Sequence, residues 1–249
     1  MTDILILFLI GWATAFATGL GAIPVFLLEQ RAADYSAALT GFAAGLMGVA
    51  SVRGLLIPAF DDGGTGVVLA SFLVGVVFLL GTREALRRRD AHVSVEDARG
   101  ESSRRSLLVV LVLFVHSLPE GLAIGTAYAS TQQGLGLFVI LAIALQNIPE
   151  GTATALPMQA AGYSRSQQFW AAVLTSVPQP FGAVGAFILV DQITGLLPAS
   201  FAFAAGAMLA LVVFDLVPAC FTRTDWRSAT VGAAAGGSLM LALSALLGV

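Results

Sequence analysis

The chain has 249 residues, of which 57% are hydrophobic and 11% are charged, and its mean hydropathy is +0.90. These values lie well outside the range of soluble domains, so the composition indicates a polytopic membrane protein in contact with a lipid bilayer. The net charge is −3, so acidic residues outnumber basic ones, and we therefore expect no nucleic-acid partner.

Eight apolar runs have about the length that crosses ~30 Å of hydrocarbon. The first run begins near Asp3, lacks a basic start and is longer than the apolar part of a signal peptide, so we expect it to be a true span. We predict an all-α integral membrane protein with a single transmembrane domain over residues 1–249. Spans 1 to 8 are predicted at residues 4–28, 36–58, 64–82, 107–129, 135–158, 167–190, 198–219 and 228–248.

The basic residues predict how the chain is oriented. All twelve are Arg, and eleven of them lie in the connections that follow spans 1, 3, 5 and 7. Connections rich in Arg stay in the cytoplasm, so we expect a cell membrane protein with both termini outside and a solvated cytoplasmic loop over residues 83–106. His92 lies in this loop near Glu96, Asp97 and Glu101, either as part of a weak metal-collecting segment or simply in solvent.

Spans 1 and 2 contain three features of interest. Residues 18–24 of span 1 are small and end in a proline, which predicts close helix contact and a kink. Met47 in span 2 is either a core filler or a metal ligand. Arg53, the basic residue within a span, either extends to the outer surface or pairs with a buried carboxylate such as Asp215 in span 7.

Spans 4 and 5 carry related motifs, His-Ser-Leu-Pro-Glu-Gly at 116–121 and Gln-Asn-Ile-Pro-Glu-Gly at 146–151. A carboxylate inside a span costs roughly 2.5–3.5 kcal/mol on insertion scales, so an unpaired Glu in each of two spans indicates a function. The alternative is a kinked core helix whose Glu hydrogen-bonds a neighbour. The prolines are predicted to bend both helices and to leave the carbonyls of Val115 and Leu145 without a donor.

The spacing within these motifs predicts a binding site. His116 and Glu120 are four residues apart, as are Gln146 and Glu150, which places each pair on one helix face. Two such faces turned toward each other would supply one imidazole, one amide oxygen and two carboxylates. The two negative charges match a divalent cation, and the mixture of donors indicates a transition metal.

Spans 6 to 8 indicate an internal repeat. Phe42-Ala43-Ala44-Gly45 and Met47 recur 161 residues later as Phe203-Ala204-Ala205-Gly206 and Met208. We therefore predict a first repeat at about 1–82, central helices at 107–158 and a second repeat at about 167–249, with the two repeats crossing the membrane in opposite senses. Span 6 also holds Gln179 between two prolines, a break that is tolerated where it lines a cavity. Inverted repeats around broken helices are typical of alternating-access transporters.

These motifs resemble those of the ZIP (Zrt- and Irt-like) family of divalent metal transporters, bacterial type, over nearly the whole chain. The fourth span of that family typically reads His-Asn-x-Pro-Glu-Gly. Its fifth span reads His or Gln, then Asn or Asp, then x-x-Glu-Gly. The resemblance implies eight helices in a 3+2+3 inverted-repeat arrangement, commonly a homodimer, with the metal bound between spans 4 and 5.

By position, the resemblance implies a first metal site that is intact and a second that lacks its own carboxylates, so we expect one bound ion. Zinc is the expected substrate, and the donors are also compatible with cadmium, iron or manganese. Asp215 stands where the family often has a Glu, in the transport path or in a structural role. The first site comprises Met47, His116, Glu120, Gln146 and Glu150, and the weak second site comprises Ser117, Asn147 and Gln179.

We therefore predict transport of a divalent transition metal by alternating access. One alternative is proton-coupled export or exchange of another cation through the same carboxylates. Another is an intramembrane metalloenzyme, which needs a metal with an open position and a general base. The sequence has no His-Glu-x-x-His helix, no nucleophile constellation and no nucleotide motif, which disfavours an enzyme.

Overall fold

The computed structural model describes residues 1–91, 98–221 and 225–249, and all regular structure in these ranges is helical. The predicted all-α fold class is confirmed. The α-helices are α1 Thr2–Leu20, α2 Ala22–Leu28, α3 Ser36–Ser51, α4 Ile57–Asp62, α5 Thr65–Ala91, α6 Ala98–Ala129, α7 Leu135–Ala160, α8 Arg165–Thr175, α9 Pro178–Gln192, α10 Leu197–Leu211, α11 Val217–Phe221 and α12 Trp226–Leu247.

Eight stretches of the described chain are helical, long and apolar enough to cross a membrane, which confirms the predicted number of spans. Their ends differ from the predicted ones by a few residues, because helices continue past the apolar part. Spans 1 to 8 lie at Thr2–Leu28, Ala32–Asp62, Thr65–Leu86, Val110–Ala129, Leu135–Ala160, Arg165–Gln192, Leu197–Cys220 and Trp226–Leu247.

The prediction of a loop over residues 83–106 is corrected by the structure. Helix α5 continues to Ala91 and α6 already begins at Ala98, while His92 lies outside the described residues. The segment is rich in Arg, Glu, Ala and Leu, which are all good helix formers. An ion pair between Glu84 and Arg88, one helical turn apart at 2.7 Å, adds to this tendency. The charged residues end the apolar stretch that can lie in the membrane, but the helix continues through them.

Four spans are irregular. The break between α1 and α2 falls at Gly21, near the predicted kink, and the break between α8 and α9 falls just before Pro178. A proline suits the first turn of a helix because its missing N–H is not needed there. Spans 2 and 7 each contain one π-helical turn, at Val52–Leu56 and Val212–Leu216. Irregular backbone inside a membrane is tolerated where protein or a cavity surrounds it.

Close contacts between helices recur at equivalent positions of the two predicted repeats. A Cβ on Gly45 in span 2 would overlap the backbone oxygen of Ala233 in span 8. Correspondingly, a Cβ on Gly206 in span 7 would overlap the backbone oxygen of Phe72 in span 3. Each residue of one contact is 161 positions from its equivalent in the other. Spans 2 and 8 therefore pack in the same way as spans 7 and 3.

The same relation holds at the centre. A Cβ on Gly21 would overlap the backbone oxygen of Ile148 in span 5, and one on Gly182 would lie 3.0 Å from that of Leu118 in span 4. The broken regions of spans 1 and 6 are thereby held against the two Pro-Glu-Gly motifs. The opposite membrane sense of the two repeats stays a prediction.

Candidate metal centre

The middle of the bundle brings together three residues that were predicted to bind metal. His116 and Glu120 lie on α6 and Glu150 lies on α7, and their exposed fractions are 0%, 0% and 5%. One potential ligand atom from each lies within 4.8 Å of the others. Because His116 and Glu120 lie on the same face of α6, Nε2 of His116 is 3.5 Å from Oε1 of Glu120. Because zinc is bound at about 2.0–2.2 Å by such atoms, small side-chain movements suffice to enclose an ion.

Four nitrogen and oxygen atoms at this centre that could bind a metal are buried without a hydrogen-bond partner among the described residues. They are both ring nitrogens of His116, Oε1 of Gln146 and Oε1 of Glu150. Such atoms are rare in native proteins, since each unsatisfied buried group costs about 1–3 kcal/mol. All four are atoms that can coordinate a divalent transition metal. The pattern is therefore suited to an ion that would satisfy several of them at once.

Glu120 is held by two amide groups. Gln146 donates from Nε2 to Oε1 of Glu120 at 2.5 Å, and Gln179 donates from Nε2 to Oε2 at 2.7 Å. Gln146 thus faces Glu120 with its nitrogen, and its oxygen, which was predicted to be a ligand, is the atom without a partner. Both oxygens of Glu120 accept hydrogen bonds, whereas Oε1 of Glu150 accepts none from the described residues.

The three residues predicted to form a weak second metal site do not act alike. Asn147 and Gln179 exchange hydrogen bonds at 3.2 and 3.3 Å, and Gln179 also donates to Glu120. Ser117 is buried, but its hydroxyl has no partner in the described part of the chain. Thr14 of span 1, which sequence analysis missed, donates to Oε1 of Gln179 at 2.7 Å. The only sequence signal for it was a hydroxyl on an otherwise small and apolar face.

Met47 lies in the main hydrophobic core and is fully buried, as is its counterpart Met208 in the second repeat. This placement fits the filler interpretation of Met47. Its role as a ligand stays a prediction.

A cavity of about 400 Å³ lies beside the centre. Glu150 and Asp215 both line it. Asp215 pairs with Arg83 at 2.9 Å, while Oδ2 of Asp215 is buried without a hydrogen-bond partner among the described residues. The cavity thus connects the centre to a second carboxylate near one surface.

The proposed pairing of Arg53 with Asp215 was wrong. Arg53 instead donates to Oγ of Ser244 at 3.2 Å and to the backbone oxygen of Val249 at 2.7 Å. Arg53 lies in the π-helical turn of span 2 near the other end of the bundle, so the alternative, extension toward that surface, is the one that fits.

Comparison with known proteins decides the family. A family model described as ZIP Zinc transporter matches residues 81–244, more than half of the chain. The chain belongs to the ZIP family. Zinc transporter GufA of Myxococcus xanthus is 34% identical over 93% of this chain and 95% of its own length. Zinc transporter ZIPB of Bordetella bronchiseptica is 34% identical over 96% of this chain and 81% of its own length.

A plant relative from Arabidopsis thaliana, whose name also describes a zinc transporter, is 33% identical over 94% of this chain. That protein is longer, and the chain spans 38% of it. The ZIP proteins that match are named as transporters rather than enzymes. The predicted family is confirmed, and the metalloenzyme alternative is not supported for this ZIP protein.

Proposed function

We propose that this ZIP protein moves a divalent transition-metal ion, with zinc as its principal substrate, across a membrane by alternating access. The observation that carries the proposal is the cluster of His116, Glu120 and Glu150, buried in apolar spans. Ligand atoms of His116 and Glu150 have no hydrogen-bond partner among the described residues. Two carboxylates supply the two negative charges that balance a divalent ion, which would otherwise be costly inside a bilayer. The names of the relatives support zinc.

The ligand set that we propose mixes nitrogen, oxygen and sulfur donors. Such a ligand set binds zinc, and cadmium, iron and manganese can compete with zinc for it. If the side-chain amide of Gln146 rotated, its Oε1, which has no partner among the described residues, would face the ion. The proposed ligands are His116, Glu120, Gln146 and Glu150, with Met47 as a fifth.

The cavity between Glu150 and Asp215 is the proposed route for the ion on the Arg-rich side of the bundle. The distribution of Arg predicts that this side is cytoplasmic and that both termini are outside a cell membrane. The equivalent contacts of the repeats support an inverted 3+2+3 arrangement, in which rocking of the repeats would close this route and open the opposite one. We also propose a homodimer, as in other members of the family.

Flux measurements in proteoliposomes test the proposal. Zinc uptake should be saturable, should be inhibited by competing cadmium, and should be abolished in Glu120→Ala and Glu150→Ala at equal reconstitution. Asp62→Ala, which removes an exposed carboxylate at the end of α4, is the matched control and should transport like the wild type.

The same assay separates the alternatives. Uptake that persists at the wild-type rate in both glutamate variants would overturn the assignment of the centre. Transport of another cation without zinc competition, driven by a proton gradient, would favour the proton-coupled alternative. Comparison of zinc, cadmium, iron and manganese as competitors measures the selectivity.

A further inference from the structure

Gln179 is the most completely bonded polar side chain at the centre. It is the second residue of α9, immediately after the break in span 6, and it is 0% exposed. Its Nε2 donates to Oε2 of Glu120 at 2.7 Å and to Oδ1 of Asn147 at 3.3 Å. Its Oε1 accepts from Oγ1 of Thr14 at 2.7 Å and from Nδ2 of Asn147 at 3.2 Å. A glutamine amide has two donor hydrogens and two acceptor lone pairs, and here each has a partner. The Thr14 hydroxyl, which has one hydrogen, also lies 2.9 Å from the backbone oxygen of Gly11.

These bonds fix which end of the amide faces Glu120. An ionised carboxylate can only accept hydrogen bonds, so the nitrogen of Gln179 must point toward it. The hydroxyl of Thr14 and the amide of Asn147 hold the oxygen on the opposite side. Asn147 is anchored in turn, because its Nδ2 donates to the backbone oxygen of Thr14 at 2.7 Å. Spans 1 and 5 therefore determine the orientation of a side chain on span 6.

We propose that the amide of Gln179 takes the place of a second cation at this centre by holding Oε2 of Glu120, so that Oε1 is the oxygen presented to the transported ion once the amide of Gln146 rotates away from it. The inference rests on the proposed function. A carboxylate that bridges two ions must offer one oxygen to each. Here Oε2 accepts from a neutral donor whose amide is also held by hydrogen bonds to Thr14 and Asn147. Gln179 is thus a positioning residue that makes the centre a site for one ion.

The position of the amide also explains the geometry of Glu120. Its Oε1 lies 3.5 Å from Nε2 of His116. Residues that orient a metal ligand through a hydrogen bond typically change metal affinity by about 10–100-fold when they are removed. We therefore expect Gln179→Met, which has a similar length and no hydrogen-bond donor, to lower zinc affinity by about this factor.

A change in stoichiometry distinguishes this role from a purely structural one. Gln179→Glu replaces the donor by a carboxyl group of nearly the same shape and supplies the charge that a second divalent ion requires. The variant should bind two zinc ions per subunit where the wild type binds one. Loss of packing alone would not add an ion.

The experiment measures bound zinc by equilibrium dialysis and elemental analysis of the purified full chain, together with zinc affinity by calorimetry. Gln168→Met is the matched control, because Gln168 is a buried glutamine on the same span, 3% exposed, that donates to the backbone oxygen of Tyr163. It should keep one ion and wild-type affinity. If Gln179→Met fails to fold, Thr14→Val, which removes the hydroxyl that holds the amide, should still weaken zinc binding.

The outcomes separate the two proposals. The inference is overturned if the wild type binds one ion and Gln179→Met or Thr14→Val, whichever folds, matches its affinity, or if Gln179→Glu binds no additional ion. The proposed function fails instead if the wild type binds no zinc or if Glu150→Ala binds it as well as the wild type. A second ion in Gln179→Glu together with weakened binding in Gln179→Met supports the inference.

Discussion

Glu150→Gln tests the charge balance of the metal centre most directly. The substitution keeps the size and polarity of the side chain and removes one of two negative charges. Oε1 of Glu150 has no hydrogen-bond partner among the described residues, and the side chain lines the cavity, so an amide should fit there without displacing a bond to that oxygen. We expect the substitution to have opposite effects on the empty and the metal-bound protein.

The separation of the two carboxylates sets the size of these effects. Ligand oxygens of Glu120 and Glu150 lie within 4.8 Å, where two full charges repel by about 3.5 kcal/mol at an effective dielectric constant of ~20. Removal of one charge should stabilise the empty protein by up to about this amount at alkaline pH. In the bound protein, loss of one partner of a buried charge pair costs about 3–5 kcal/mol, which lowers zinc affinity by roughly 100-fold or more.

Thermal unfolding with and without zinc, combined with calorimetric titration, measures both effects. Glu150→Gln should raise the midpoint of unfolding in the absence of metal and abolish the further increase that zinc produces. Asp62→Asn, which neutralises an exposed carboxylate, should leave both values unchanged. The reasoning is refuted if Glu150→Gln binds zinc within about tenfold of the wild type or is less stable than the wild type when empty.

Three further predictions concern protons, the cavity and packing. Zinc affinity should decrease from neutral to mildly acidic pH, because the ion must displace protons from its ligands, and a flat calorimetric profile would contradict ligation by carboxylates and imidazole. Arg83→Gln should change the free energy of unfolding by less than about 1 kcal/mol, since its pair with Asp215 is partly exposed, yet it should alter the rate of metal release measured by stopped-flow fluorescence; an unchanged rate would exclude the pair from the route. Gly45→Ala and Gly206→Ala should each destabilise the protein by about 1–3 kcal/mol through overlap with a facing backbone, whereas Gly48→Ala, with open space around it, should not. A wild-type unfolding midpoint in either Gly45→Ala or Gly206→Ala would count against the equivalence of the two contacts.

Sequence patterns predicted those features that depend on one helix at a time. Apolar length predicted the eight spans because the hydrocarbon thickness fixes how many residues must be apolar. Four-residue spacing predicted that His116 and Glu120 share a face, and the structure brings them to 3.5 Å. The helical ends of α5 and α6 were missed because hydropathy reports burial in lipid rather than helix formation.

Features that depend on contacts between distant segments could not be predicted in this way. The amide of Gln179 is oriented by Thr14, 165 residues away, and either end of an amide looks the same in a sequence. Likewise, the sequence offered Arg53 as the partner of Asp215 because both lie within predicted spans, and it gave no signal for Arg83. The choice of Arg83 over Arg53 follows from the packing of span 3 against span 7, which brings the ends of those spans together.

The backbone contacts around the metal centre recur in the two repeats, but the side chains at those contacts differ. Gly121 packs against Gln179 of span 6 and Gly151 packs against Thr18 of span 1, and these contacts correspond through offsets of 30 and 161 residues. At equivalent positions the chain thus places Gln179, whose amide bonds Glu120, against Gly121 and the shorter Thr18 against Gly151. Both oxygens of Glu120 accept an amide hydrogen bond, while Oε1 of Glu150 has no hydrogen-bond partner among the described residues and its side chain lines the cavity. An ion that arrives from or leaves through this cavity should therefore exchange at Glu150 first, with Glu120 as the ligand that stays in place.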